Sequence, residues 1–208
     1  MIDNGPLNTR SPRKVRCSVI IGVALIASSL LATDLSQAAA SEPDDSRAPA
    51  LEPTRAGVAL SCGVSYSPSG VDFCLLTGIL LFDYDRVWPH KAPESLRFRV
   101  EYSLGAIVEP ETRLMTSANM IAQFYYPGTS AGRVRPYLGG GIGIIYTDFK
   151  VEGQGWKINF NPLLGLGVEF GPDPALFLDV RLHHISNGGL DEENTGVNSV
   201  QLMLGRYF

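Results

Sequence analysis

Charge is scarce in this 208-residue chain: Asp, Glu, Lys and Arg make up 18% of it, and the formal net charge is −4. With 45% hydrophobic residues beside so little charge, the composition excludes a disordered chain. The weakly acidic balance argues against a dedicated nucleic-acid binder, which presents a basic face. Cysteines number only 3 and form no Cys-x-x-Cys pair, so a zinc ribbon and a disulfide-dense mini-domain are both ruled out. There are 3 histidines; His183 and His184 are adjacent and project to opposite faces of a strand, which leaves no usable metal-ligand spacing. The 22 glycines follow no Gly-X-Y period, so collagen is excluded. No Gly-x-Gly-x-x-Gly or Gly-Lys-Ser/Thr run opens a helix, and no cofactor is implied. A long helical period is missing as well.

What is present starts with an address. Arg10, Arg13, Lys14 and Arg16 precede an apolar run from Cys17 to Ala32, and Ala38-Ala39-Ala40 supplies the small residues that a signal peptidase needs. The run falls short of the ~20 residues of a spanning helix. Residues 1–40 are therefore expected to be a cleaved signal peptide. Residues 41–56 are rich in Pro, acids and small side chains and read as a flexible leader. Residues 57–208 are expected to form the folded body. Cys17 leaves with the signal. Cys62 and Cys74 flank the turn residues Pro68, Ser69 and Gly70, and an exported chain permits either a disulfide or two free thiols there.

The body alternates with period two. Leu96, Phe98, Val100, Tyr102 and Leu104 share one face opposite Arg97, Arg99, Glu101 and Ser103. Leu164, Leu166, Val168 and Phe170 oppose Gly165, Gly167 and Glu169. Leu176, Leu178, Val180 and Leu182 oppose Phe177, Asp179, Arg181 and His183. Leu138, Ile142, Ile144 and Tyr146 face away from Gly139, Gly141 and Gly143, so that this glycine run continues a strand.

Such alternation suits a soluble sandwich or a membrane barrel equally. Three features favour the barrel. The strands are long enough for a tilted bilayer crossing. Tyr125, Tyr126, Tyr146, Phe149, Trp156, Phe170, Tyr207 and Phe208 sit near strand ends, as an interfacial girdle requires. The chain closes on Val200, Leu202, Leu204 and a terminal Phe208, like the last strand of bacterial outer-membrane proteins, with Arg206 departing from the usual aromatic.

The expected fold is all-β: an eight-stranded antiparallel outer-membrane β-barrel, with strands near 57–66, 73–83, 95–107, 112–126, 134–149, 155–170, 175–186 and 197–208. A barrel this narrow is filled by its own side chains, so Arg97, Arg99, Glu101, Glu169, Asp179 and Arg181 are expected to neutralise one another inside it.

The densest set of reactive groups lies in the last hairpin, His183 to Ser199. A serine hydroxyl becomes a nucleophile when an imidazole takes its proton and a third group orients that ring. His184 and Ser186 continue the outward set of Leu176 to Leu182, and Asn198 continues that of Val200 to Phe208. All three are thus expected on the exterior, at the outer leaflet, where a nucleophile meets a lipid ester. Set against this, polar residues at a strand end and a Ser-Asn-Gly-Gly run are also ordinary turn chemistry. His183, facing inward, is assigned to interior packing.

The stretch Arg181 to Asn198 resembles the signature of the outer-membrane lipid A 3-O-deacylase (PagL) family. The matching residues are His184, Ser186 and Asn187, then Gly189-Leu190, Asn194 and Gly196; weaker similarity runs through Arg135-Pro136-Tyr137, Gly139 to Gly143 and Asn161 to Phe170. The resemblance implies hydrolysis of the ester-linked 3-hydroxyacyl chain at position 3 of lipid A, with lipopolysaccharide as substrate. By that match Ser186 is the nucleophile and His184 the general base, with Asn187, Gly189 and Asn194 as candidate oxyanion donors. Asn198 stands where the family's triad carries Glu, so the orienting group is either this amide or a loop acid among Asp191, Glu192 and Glu193. The alternative is a non-catalytic barrel of the same fold with structural or adhesive duties.

Overall fold

The computed structural model describes residues 52–127, 133–171 and 175–208. The expected signal peptide and all but the last residues of the expected leader lie outside them. In chain order the elements are β1 (Arg55–Ser67), β2 (Ser69–Asp83), the short helix α1 (Tyr84–Val87), β3 (Leu96–Glu109), β4 (Arg113–Tyr125), β5 (Val134–Thr147), β6 (Ile158–Phe160), β7 (Leu163–Phe170), β8 (Leu176–Ile185) and β9 (Val197–Tyr207). All pairings are antiparallel: β9 returns to β1, β4 pairs with β5, and the sheet closes on itself.

The architecture is eight-stranded, because β6 and β7 are one barrel strand interrupted at Asn161-Pro162. Register is continuous across the gap on both sides: Ile144↔Phe160 and Gly141↔Leu163 on β5, Ser186↔Phe160 and His183↔Leu163 on β8. Proline lacks the N–H that a central strand must donate, so the ladder breaks without the strand leaving its course. β1 begins at Arg55, two residues before the expected start. The Arg55 guanidinium lies 4.1 Å over the Tyr207 ring and 2.9 Å from Glu169, a tether from the opposite side of the barrel that alternation cannot reveal.

The apolar stripe looks outward. Leu76, Leu80, Leu104, Ile142, Leu166, Val180, Leu182 and Leu202 are all exposed, while Arg99, Glu101, Asn119, Glu169, Asp179, Arg181 and Gln201 are buried. The sheet closes on itself and, among the described residues, no second layer covers this belt, so hydrocarbon is the medium it matches. Val180 sits mid-strand between Leu166 and Leu202. Val180→Arg is therefore expected to destabilise the barrel by about 2–4 kcal/mol in a bilayer. Urea titration of the protein folded in liposomes measures this, and an unchanged midpoint would place Val180 away from lipid.

The interior is layered. An apolar plug of Val71, Phe73, Leu75, Ile107, Met115, Ile145, Phe149, Val151, Ile185 and Val197 fills the end that carries the 186–196 loop. Ala59, Ile79, Leu81, Phe177, Met203 and Tyr207 fill the end near the C-terminus. A charged layer lies between them. Arg181 forks onto Glu101 at 2.7 and 2.8 Å and reaches Asp179 at 2.6 Å; Arg99 contacts Glu101 at 2.7 Å and Asp179 at 3.4 Å.

Two expectations about side chains need correction. Arg97 is not part of the interior network: it is half-buried at the rim beside Asp83, one step beyond the point where the barrel wall encloses its face. In the aromatic girdle, Tyr126, Trp156 and Phe208 are exposed, but Tyr125, Phe149 and Tyr207 turn inward. The inward parity of their positions decides this, and the Tyr125 hydroxyl donates to Glu169 inside. Cys62 and Cys74 are directly opposed across β1 and β2 and form a disulfide.

Candidate active site

The β8–β9 hairpin presents two register pairs in succession. Ile185 and Val197 point inward, each 2% exposed, and lock into the apolar plug. The next pair, His184 and Asn198, must then point outward, since successive strand residues alternate faces. Their side chains meet: His184 Nδ1 and Asn198 Oδ1 are 2.7 Å apart. Asn198 Nδ2 also donates to the Ser67 carbonyl at the end of β1, at 3.4 Å.

Ser186 lies one residue beyond the end of β8, where the expected strand over 175–186 stops short. It is buried, and it pairs with Phe160: Ser186 N donates to the Phe160 carbonyl at 3.2 Å, and Phe160 N returns the bond at 2.8 Å. Strand parity puts its side chain on the His184 side. Among the described residues no hydrogen bond joins the Ser186 hydroxyl to the His184 ring. Ile185, Ser186 and Asn187 are buried in succession, so the alternation ends where the loop folds back over the strand.

That loop is braced from within. Asn187 N donates to Asn194 Oδ1 at 2.9 Å, Asn187 Nδ2 to the Glu193 carbonyl at 2.8 Å, and Gly189 N to Asn187 Oδ1 at 2.9 Å. The N–H groups of Asn187 and Gly189 are thus engaged in holding the loop, while the Asn194 side chain offers its NH2 beyond it. Gly188 and Gly189 have φ of 70° and 81°, the left-handed region where glycine carries no steric penalty. A neighbouring loop, residues 148–157, clips onto this one through Gly155 N to the Glu193 carbonyl at 2.9 Å and Thr195 N to the Gly153 carbonyl at 2.8 Å. Within it Lys157 bonds Asp148 at 2.8 Å, and that hydrogen bond holds the Asp148 carboxyl below the usual carboxylate range. Of the three loop acids, Asp191 accepts from Glu193 N at 3.1 Å; among the described residues none of the three carboxylates bonds His184.

His183 faces inward, as its parity requires, with Nδ1 3.1 Å from Asn161 Oδ1. Among the described residues no three His, Cys, Asp or Glu side chains gather where they could hold a metal.

Beside His184 the wall carries a shallow groove of about 240 Å³, lined by Tyr66, Pro162, Leu164, Leu182, His184 and Asn198 among others. Pro162 lies directly opposite His184 in it. His184 N donates to the Pro162 carbonyl at 3.0 Å, and the proline has no N–H with which to return the bond to His184. Sequence reading missed both Pro162 and Tyr66 as site residues. The signal for the first was available, because a proline inside a central strand marks a local break.

No curated protein sequence matches this chain. Among solved structures, the outer membrane enzyme PagL superposes with a TM-score of 0.52 at 21% identity, over 72% of this chain and 97% of that one. Neisserial surface protein A superposes with a TM-score of 0.53 at 15% identity, over 74% of this chain and 94% of that one. At these identities the likeness shows a shared barrel fold. The lipid A 3-O-deacylase (PagL) family matches residues 80–207, which contain the whole β8–β9 hairpin. A barrel with an outward apolar belt and this match is a protein of the bacterial outer membrane. The chain belongs to the lipid A 3-O-deacylase (PagL) family.

Proposed function

We propose that this protein is a serine esterase that removes the 3-hydroxyacyl chain from position 3 of lipid A in the outer leaflet. The observation that carries the reading is the His184–Asn198 pair: an imidazole oriented through Nδ1, on the lipid-facing surface, two residues from Ser186 and at the edge of an apolar groove. In a soluble enzyme such a pair faces an aqueous cleft. Here the adjoining surface is a hydrocarbon belt, and an acyl chain is what that belt and groove accommodate.

In the proposed reaction the Ser186 hydroxyl attacks the ester carbonyl and passes its proton to His184 Nε2. The tetrahedral oxyanion is met by donors from the 187–194 loop, with the Asn194 NH2 as the donor not already engaged in bracing it. Collapse breaks the bond to the sugar oxygen, which takes the proton from His184. Water, deprotonated by the same imidazole, then releases the 3-hydroxy fatty acid and restores Ser186. The Ser186–His184 hydrogen bond forms when substrate seats, since apo sites commonly hold these groups apart. Asn198 orients the ring without adding charge, so transition-state stabilisation of the imidazolium is weaker than a carboxylate would supply.

The competing reading, a non-catalytic barrel, is favoured by the amide at position 198 and by the fold's occurrence in a surface protein. Mass spectrometry of lipid A from outer membranes with and without this chain separates the two. Loss of one 3-hydroxyacyl chain from position 3 is expected. Intact 3-O-acylation in membranes containing the folded barrel would overturn the esterase reading.

A further inference from the structure

His184 is held from two sides by groups that carry no catalytic chemistry of their own. On the Nδ1 side, Ser67, Asn198 and His184 lie in one row across β1, β9 and β8. The Ser67 carbonyl can only accept a hydrogen bond, so the end of the Asn198 amide that faces it must be the NH2. Oδ1 is thereby turned toward the ring 2.7 Å away, and because Oδ1 only accepts, the proton of a neutral His184 must sit on Nδ1. Nε2 keeps its lone pair. With the amide reversed, the NH2 would donate to Nδ1, the proton would move to Nε2, and the ring would be useless as a base on that edge.

On the other side stands Gly196. A Cβ there would lie 2.7 Å from His184 Cε1 and 3.3 Å from Nε2, closer than a side chain and a fixed ring tolerate. The bare Cα is the space into which the working edge of the imidazole fits.

We propose that the Ser67 carbonyl and Gly196 are the positioning groups of the base: the first selects its tautomer through Asn198, the second leaves room for its Nε2 edge. The proposal rests on His184 acting as the base in the esterase reading, yet its first test needs no substrate. In the full barrel in detergent micelles, labelled with 15N-histidine and assigned by comparison with His184→Gln, the neutral His184 ring is expected as the Nδ1–H tautomer. Asn198→Ala is expected to return it to the Nε2–H tautomer. Gly196→Ala is expected to lower kcat by about 100-fold with KM little changed, because it displaces the base and leaves the groove intact. Heat-modifiable gel migration reports folding of each variant. An Nε2–H ring in the unaltered protein, or a tautomer indifferent to Asn198→Ala, would overturn the proposal, as would full turnover in Gly196→Ala. The expected tautomer in a protein that leaves lipid A untouched would instead sink the esterase reading and leave the positioning in place.

Discussion

Ser186→Ala and His184→Ala are each expected to lower deacylation of lipid A by at least about 10³-fold while the barrel folds and inserts as before. In serine hydrolases the nucleophile and base act as a unit, and removing either alone costs nearly as much as removing both. Neither substitution touches the plug that holds the hairpin. The inward anchors are Ile185 and Val197, whereas His184 is exposed and Ser186 is held by backbone bonds to Phe160, which alanine keeps. Single-turnover deacylation in mixed micelles gives the rate, and heat-modifiable migration confirms the fold. Turnover persisting in Ser186→Ala would identify another nucleophile. The double variant distinguishes a joint mechanism from two separate losses: its rate should match that of the singles.

The second large effect concerns stability. Glu101→Ala is expected to destabilise the barrel by about 3–5 kcal/mol, because it leaves buried charge without compensation. Arg181 and Arg99 both contact Glu101, each at 2.7 Å. Without it two buried guanidinium groups share Asp179 alone. Removing one acid and one base together, as Glu101→Leu with Arg181→Leu, restores the charge balance and leaves the Arg99–Asp179 pair. The double variant is therefore expected to be more stable than Glu101→Ala. Urea titration of the folded barrel measures both. If the double variant unfolds first, packing rather than charge balance governs this layer.

These two predictions meet at one geometric fact. The same alternation that turns Arg181 into the charged layer turns Leu182 and His184 toward lipid. One strand thereby carries both the barrel's internal cohesion and its candidate chemistry. The esterase reading implies that the site works on a rigid wall, with the 186–196 loop braced by residues 148–157. A hairpin anchored by Ile185 and Val197 in the plug loses little geometry when its outward residues are exchanged.

Strand identity and facing were legible wherever the two faces differ in chemistry, as in β3, β7, β8 and β9. β2 was not readable in that way. Its run of Leu75, Leu76, Ile79, Leu80 and Leu81 is apolar on both faces, and the structure sends Leu75, Ile79 and Leu81 inward and Leu76 and Leu80 outward. A strand that joins the interior plug on one side and lipid on the other has no alternation to read. The inward turn of Tyr125, Phe149 and Tyr207 escaped for a related reason: an aromatic near a strand end suits an interface or a plug equally.

In the site, His184, Ser186 and Asn198 could be named from parity and motif, because they belong to one hairpin and local spacing sets their faces. The sequence alone also determined the eight-stranded pattern and which residues share a face, since both follow from period-two alternation along single strands; that the apolar face looks outward, and that Arg97 stays out of the charged layer, came from the closed barrel. Only the tertiary structure decided that Ser67, 131 residues from Asn198 in sequence, sets the amide's orientation, that Gly196 makes room for the imidazole, and that Tyr66 and Pro162 line one groove with His184. The reason is closure. Which strand lies beside which, and in what register, depends on the whole sheet joining its ends, and contacts across neighbouring strands have no spacing along the chain from which they can be read.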